Sequence, residues 1–272
     1  MKEKKEKNKK SKAKEDIKLI EEGYFTIIGG PCAIEDWKQM DTTAKILKDI
    51  GLSFMRGGAY KPRTSPYSFQ GLGEEGLKYL REISNKYGLK TVTEVTDTEN
   101  VEIIADNVDV LQVGTRNMSN FELLKKIGRV ANERNKCVIL KRGWASSIRE
   151  WLLAVEYITV KGNTEVVLCE RGIRTFETST RFTLDLSAVP VVKKLSKLPI
   201  IIDPSHATGQ SDLVIPMSRA AIAAGADGLI VEVHTNPSKA LSDGQQSLDA
   251  KELSELVRQI RDIASVIGKK IR

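Results

Sequence analysis

The sequence predicts an α/β chain of the single-domain (β/α)8, or TIM, barrel class, and three observations carry that prediction. Eight short apolar runs rich in β-branched residues alternate with segments of helical period, the pattern of parallel βαβ units. Eight such units match a closed barrel in number, with an open doubly wound sheet as the runner-up. The length of 272 residues suits one α/β barrel, and no Pro/Ser-rich linker divides it. Residues 1–22 read as a basic tail and lead-in, and 23–272 as the barrel.

The net charge of +7 belongs to the tail. Residues 1–14 hold eight lysines and two glutamates, a local +6, so the body is nearly neutral. The tail has no apolar periodicity and reads as disordered. No aromatic residue interleaves with its lysines, which argues against nucleic acid as a partner. No apolar run approaches the ~18–20 residues of a membrane span, and no signal peptide opens the chain. Three cysteines suit a reducing compartment better than a disulfide framework, so a cytoplasmic location without a membrane partner is expected.

The predicted strands cover residues 25–28, 53–55, 91–95, 110–113, 138–140, 166–168, 199–202 and 229–233. Asp36 and Gln39 form a capping box for the first helix, which places Trp37, Met40, Ala44 and Leu47 on one face and stops at Gly51. Ser147 and Glu150 repeat the box before Trp151, Val155 and Ile158. The last helix starts at Asp249 and turns Leu253, Leu256, Ile260, Ile263 and Ile267 inward. After the second strand, residues 56–75 form a long loop rich in Gly, Pro and cations, and a loop of that length in a compact domain is usually functional. Residues 71–76 match G-x-G-x-x-G. No buried strand precedes them, and Glu74 and Glu75 would face a pyrophosphate, so they read as a turn with acids in a first helical turn.

In a barrel, residues just past the strands share one face. Read off in order they are Cys32; Arg56, Lys61, Arg63, Thr64 and Ser65; Glu94; Arg116; Lys141 and Arg142; Glu170, Arg171 and Arg174; Asp203 and His206; Glu232 and His234; Ser242 and Asp243. Two chemistries separate. Cys32, His206, Glu232 and Asp243 can each ligate a divalent metal, and their mixed donors leave Mn2+, Fe2+, Co2+ and Zn2+ open. Arg56, Lys61, Arg63, Arg116, Lys141 and Arg171 call for a substrate with several negative charges, two phosphorylated substrates among the options.

The motifs holding these residues are Gly-Pro-Cys at 30–32, Arg-Gly-Gly-Ala-Tyr-Lys-Pro-Arg-Thr-Ser at 56–65, Val-Gly-Thr-Arg-Asn at 113–117 and Leu-Lys-Arg-Gly at 140–143. Cys-Glu-Arg-Gly-Ile-Arg follows at 169–174, Asp-Pro-Ser-His at 203–206, Glu-Val-His at 232–234 and Leu-Ser-Asp-Gly-Gln at 241–245. On them the chain resembles the 3-deoxy-D-arabino-heptulosonate 7-phosphate (DAHP) synthase family, most closely its short type I β branch, which is related to 3-deoxy-manno-octulosonate 8-phosphate synthase. The resemblance runs from Gly23 to the last helix.

It implies a metal-dependent, cytoplasmic transferase that condenses phosphoenolpyruvate with D-erythrose 4-phosphate and releases phosphate, the first step of the shikimate pathway of aromatic amino acid biosynthesis. It implies Cys32, His206, Glu232 and Asp243 as metal ligands. Arg116, Lys141 and Arg171 would hold phosphoenolpyruvate, Arg56 and Lys61 its carboxylate, and Arg63, Thr64 and Ser65 the erythrose 4-phosphate. Glu94 is the candidate for orienting water and Lys61 for passing a proton; His206 serves as a ligand and not as a base, and His234 is given no role. The family suggests a homo-oligomer, a tetramer or dimer. The 22 residues before the barrel are too few for a regulatory domain or a fused chorismate mutase, so no inhibition by Phe, Tyr or Trp through such a domain is expected. The rivals are the octulosonate synthase, with arabinose 5-phosphate and a Lys-Ala-Asn-Arg-Ser spacing where this chain has Lys61-Pro62-Arg63-Thr64-Ser65, and a basic-tailed binding module with a degenerate barrel.

Overall fold

The computed structural model describes residues 18–62, 65, 67–162 and 164–272. The expected disorder of the tail therefore falls outside the described residues, as do the assignments of Arg63 and Thr64. The strands are β1 (Tyr24–Gly30), β2 (Phe54–Arg56), β3 (Lys90–Val95), β4 (Val110–Val113), β5 (Cys137–Lys141), β6 (Val166–Glu170), β7 (Ile200–Ile202) and β8 (Gly228–Glu232). Each pairs in parallel with the next, and β1 pairs with both β2 and β8, so the sheet closes into the expected barrel. A ninth strand, β9 (Lys270–Ile271), adds to the first residues of β1 and was not foreseen.

Helices α1 (Trp37–Asp49), α2 (Glu74–Tyr87), α3 (Val101–Asn107), α4 (Phe121–Arg134), α5 (Ile148–Thr159) and α6 (Ala188–Leu195) follow strands one to six. After β7 come a short α7 (Pro204–Thr208) and α8 (Ser211–Ala223), and α9 (Ala250–Val266) closes the ring. Among the described residues no helix is long and apolar enough to cross a membrane.

Local chemistry explains the helix ends. Asp36 caps α1 by accepting from the Gln39 N–H. The Gln39 side chain accepts from Glu35 N at 3.0 Å and not from Asp36, so the expected box closes one residue early. The boxes at Ser147–Glu150 and Asp249–Glu252 form in both directions. Gly73 takes a positive φ of 58° just before α2, whose first turn carries Glu74 and Glu75, as the turn reading requires. The inward stripe of α9 runs through Leu253, Leu256, Val257, Ile260 and Ala264. Ile263 still packs partly buried against the core, but Ile267 is the C-cap residue and 46% exposed, because a 3.6-residue period carries the stripe to Ala264 and away from Ile267.

The core has two layers. Alternate strand residues such as Leu111, Leu140, Leu168 and Val231 pack outward against the helices. The other set, with Ile28, Phe54, Val92, Val110, Ile139, Val167, Ile201 and Ile230, fills the barrel interior. Leu19, fully buried, joins this inner set. The backbone carbonyl of Leu19 accepts a bond from Thr26 Oγ1 at 2.9 Å, and Arg272 pairs with Glu21. The chain therefore plugs the N-terminal mouth of the barrel with one leucine.

Candidate active site

Strand side chains alternate, so adding two to an inward position gives another inward position. Beyond Ile28, Phe54, Val92, Ile139, Cys169, Ile201 and Ile230 of the inner layer, the same register delivers Cys32, Arg56, Glu94, Lys141, Arg171, Asp203 and Glu232 to the C-terminal mouth. Arg142 and Glu170 have the opposite parity. They meet on the helix side, with Arg142 Nη1 2.9 Å from Glu170 and 2.8 Å from Asp185, and the guanidinium lies over the Trp151 ring.

The four candidate ligands converge. The donor atoms of Cys32, His206, Glu232 and Asp243 all lie within 4.8 Å of one another. Cys32 Sγ donates to Asp243 Oδ2 at 2.9 Å, and His206 Nε2 is 3.3 Å from Glu232 Oε1. Burial, reinforced by Glu232, pushes the Cys32 thiol up to about 12. Burial would also raise Glu232, but His206 and Arg56 outweigh it and hold the carboxyl below its ordinary value. Asp243 is held low as well: burial opposes this, and His206 and the Cys32 bond overcome it. Burial lowers His206, with Asp203 and Glu232 pulling the other way.

The surroundings hold each ligand in place. Asp203, the N-cap of α7, accepts His206 N on Oδ1 at 2.9 Å and faces His206 Nδ1 with Oδ2 at 2.8 Å. With Nδ1–H on that carboxylate, Nε2 is left for a ligand. Arg56 Nη1 pairs with Glu232 Oε1 at 2.7 Å, and Gln246 Nε2 donates to Glu232 Oε2 at 2.6 Å. Arg181 reaches both Asp243 (3.2 Å) and Gln246 Oε1 (3.0 Å). Two ionised carboxylates, an oriented imidazole and a thiol with an acidic proton acceptor beside it form a donor set that fits a divalent cation.

Above this cluster opens a cavity of about 340 Å3. Its walls include Lys61, Glu94, Arg116, Lys141, Trp144 and Arg171, and Ser65, Arg181, His206 and Asp243 also line it. Lys61 Nζ sits 3.0 Å from Cys32 Sγ. Glu94 accepts from Gln112 and lies against Gly114, where a Cβ would stand 1.9 Å from Glu94 Oε1 and shift the carboxylate. Lys141 has a carboxylate partner, Asp203 at 2.5 Å. Among the described residues Arg116 and Arg171 have none, and Arg171 Nη1 is buried without any hydrogen-bond partner. Ring faces back these cations instead. Trp144 and Phe182 stack at 6.3 Å and 4°. Arg116 and Arg174 lie over Trp144 at 5.3 and 4.8 Å, and Arg171 lies over Phe182 at 4.2 Å.

The structure thus brings Cys32, Lys61, Ser65, Glu94, Arg116, Lys141, Arg171, His206, Glu232 and Asp243 together. Arg56 stands back from the cavity wall, engaged with Glu232 and with the Cys32 carbonyl at 3.2 Å. His234 is buried outside the cluster, accepting from Asn236 N at 3.0 Å. Sequence reasoning gave no role to Asp203 and passed over Gln246, Arg181, Trp144 and Phe182. The N-cap pattern of Asp203 three residues before His206 was the available signal for the first; no periodicity marks the other four.

The DAHP synthetase I family matches residues 6–268. Over 256 residues the chain is 56% identical to the phospho-2-dehydro-3-deoxyheptonate aldolase of Thermotoga maritima, covering 94% of this chain and 74% of that protein. A crystal structure of the Thermotoga maritima phospho-2-dehydro-3-deoxyheptonate aldolase (DAHP synthase) superposes with a TM-score of 0.89 at 55% identity, covering 93% of this chain and 73% of that one. A truncated form of the 3-deoxy-D-arabino-heptulosonate 7-phosphate synthase from Thermotoga maritima gives 0.85 at 51% identity, with 93% and 91% coverage. A 2-dehydro-3-deoxyphosphooctonate aldolase of Geobacter sulfurreducens is 28% identical over 269 residues, 92% of this chain and 96% of that protein.

Proposed function

Because the chain belongs to the DAHP synthetase I family and is a 3-deoxy-7-phosphoheptulonate synthase, we propose how its residues divide the condensation of phosphoenolpyruvate with D-erythrose 4-phosphate. The observation that carries the assignment is the meeting of four ligand atoms within 4.8 Å beneath a wall of cations. Cys32, His206, Glu232 and Asp243 would hold one divalent ion, Mn2+, Fe2+, Co2+ or Zn2+. When bound it supplies Lewis-acid polarisation at the aldehyde oxygen.

Arg116, Lys141 and Arg171 hold the phosphate of phosphoenolpyruvate, and Lys61 its carboxylate. Arg56 acts beside them by neutralising Glu232. Ser65, with Arg63 and Thr64, receives the phosphate of the sugar. Held in this way, two mutually repelling anions keep C3 of phosphoenolpyruvate facing the aldehyde carbon, which is a large share of the rate in a bimolecular condensation. As the C–C bond forms, positive charge develops at C2. Glu94 orients the water that adds there, and Lys61 carries the proton that the new alkoxide takes up. The hemiketal phosphate then collapses by C–O cleavage, and phosphate leaves into the Arg116–Arg171 wall. Assembly into a homo-oligomer in the cytoplasm belongs to the same reading, and sedimentation velocity measures the assembly.

The test is consumption of phosphoenolpyruvate with each sugar phosphate, with and without chelator. Turnover is expected with erythrose 4-phosphate and is expected to vanish in excess chelator. Turnover only with arabinose 5-phosphate, or undiminished by chelator, overturns the reading.

A further inference from the structure

The two halves of the site, ligand cluster and anion wall, meet where Lys61 Nζ stands 3.0 Å from Cys32 Sγ and again at Asp203. Asp203 Oδ2 receives Lys141 Nζ at 2.5 Å and His206 Nδ1 at 2.8 Å. The other oxygen is occupied by the His206 backbone N–H at 2.9 Å, and the Asp203 N–H is tied to the Glu170 carbonyl at 2.8 Å. Asp203 is 1% exposed, so water does not dilute the exchange between its partners, and its place as the cap of α7 fixes the carboxylate. Lys141 in turn is 4% exposed and lines the cavity. A lysine and an imidazole that share one acceptor oxygen compete for its electron density, and in a water-poor interior that competition is strong.

We propose that Asp203 couples metal occupancy at His206 to anion affinity at Lys141 through this shared oxygen. The inference rests on the reading above, in which His206 is a ligand and Lys141 an anion-binding residue. The sign follows from the hydrogen bonds. A cation on Nε2 draws electron density out of the imidazole, so Nδ1–H becomes the stronger donor to Oδ2. The carboxylate charge shifts toward His206, and the Lys141 ammonium is less neutralised and binds an incoming phosphate or carboxylate more tightly. By linkage, the anion raises metal affinity by the same factor. Asp203 is a positioning residue in this scheme, since it touches neither metal nor substrate.

The measurement is the dissociation constant of Co2+, read from its thiolate absorption band, with and without saturating phosphoenolpyruvate. Its ratio is the coupling factor, expected at about 5-fold or more in the wild type, within the usual range for coupled sites. Direct attraction between metal and anion contributes to that ratio and survives mutation. The part carried by Asp203 does not, because Asp203→Asn offers one acceptor oxygen where three bonds now converge on two. The variant is expected to bind Co2+ more weakly and to show a coupling factor reduced at least about threefold. Lys141→Gln, which leaves the Asp203–His206 pair intact, is expected to lose the same part and decides the matter if Asp203→Asn does not fold. An unchanged factor in either folded variant overturns the coupling. A wild type without a Co2+–thiolate band instead overturns the ligand assignment beneath it.

Discussion

Metal affinity should climb with pH, and the slope should belong to one residue. Three of the four proposed ligands are already in their binding forms at neutral pH. Glu232 and Asp243 are held below their ordinary values and stay ionised, and His206 is lowered and so neutral. Cys32 is the exception, with its thiol pushed up to about 12 by burial and by Glu232. Binding therefore expels one proton, from Sγ. Below the thiol's own value each pH unit raises the thiolate fraction tenfold, so affinity should rise tenfold per unit, or about 30-fold from pH 7.0 to 8.5. The sign is fixed by the direction of the shift: a raised thiol weakens binding at low pH and relaxes as pH increases. A Co2+ titration against a chelator of known pH dependence measures the slope, and dye-detected proton release in weak buffer counts the proton. Cys32→Ala should lose both the absorption band and the slope while keeping its circular dichroism. A flat profile, or the same slope in Cys32→Ala, refutes the reasoning.

Other perturbations separate chemistry from support. Gly114→Ala places a methyl group 1.9 Å from the present position of Glu94 Oε1; the displaced carboxylate should lower kcat about 10²-fold, with urea unfolding little changed. Arg142→Met strands Glu170 and Asp185, both engaged by Arg142 now, and Glu170 is already raised by burial. Losing the partner of a buried pair costs about 3–5 kcal/mol, to be read in urea, and Glu170→Gln in the same chain should recover part of it. Leu19→Ala opens the barrel floor at a fully buried site, at about 2–5 kcal/mol, with KM and kcat unmoved because the residue lies at the opposite mouth.

The fold was legible because burial on both faces leaves a strong mark: all eight barrel strands appear as apolar runs. Their C-terminal limits were less legible. β2, β5 and β6 continue through Arg56, Lys141 and Glu170, where ladder bonds persist under charged side chains that break an apolar run. Residue types at the mouth were readable for the same reason that the strands were, but their compensation was not. Nothing local says that Arg56 turns to Glu232, or that Arg142 and Glu170 point away from the cavity; that required the strand register. Arg181 and Phe182 sit between β6 and α6 in a segment without period, and only the closed barrel brings them over Asp243 and Trp144.

The Trp144–Phe182 stack has a kinetic consequence. A cation backed by a carboxylate must give up part of that pair before a substrate can use it. Arg116 and Arg171 rest on ring faces, which attract them without spending their hydrogen-bond donors on an internal anion. At these two arginines an arriving phosphate therefore meets undivided positive charge and has no ion pair to displace, whereas at Lys141 it competes with Asp203. Such a mouth draws multiply charged reactants from beyond contact distance, and the rate of capture should fall as salt screens the field. The aromatic pair, which does no chemistry itself, thereby ties the speed of the first encounter to ionic strength.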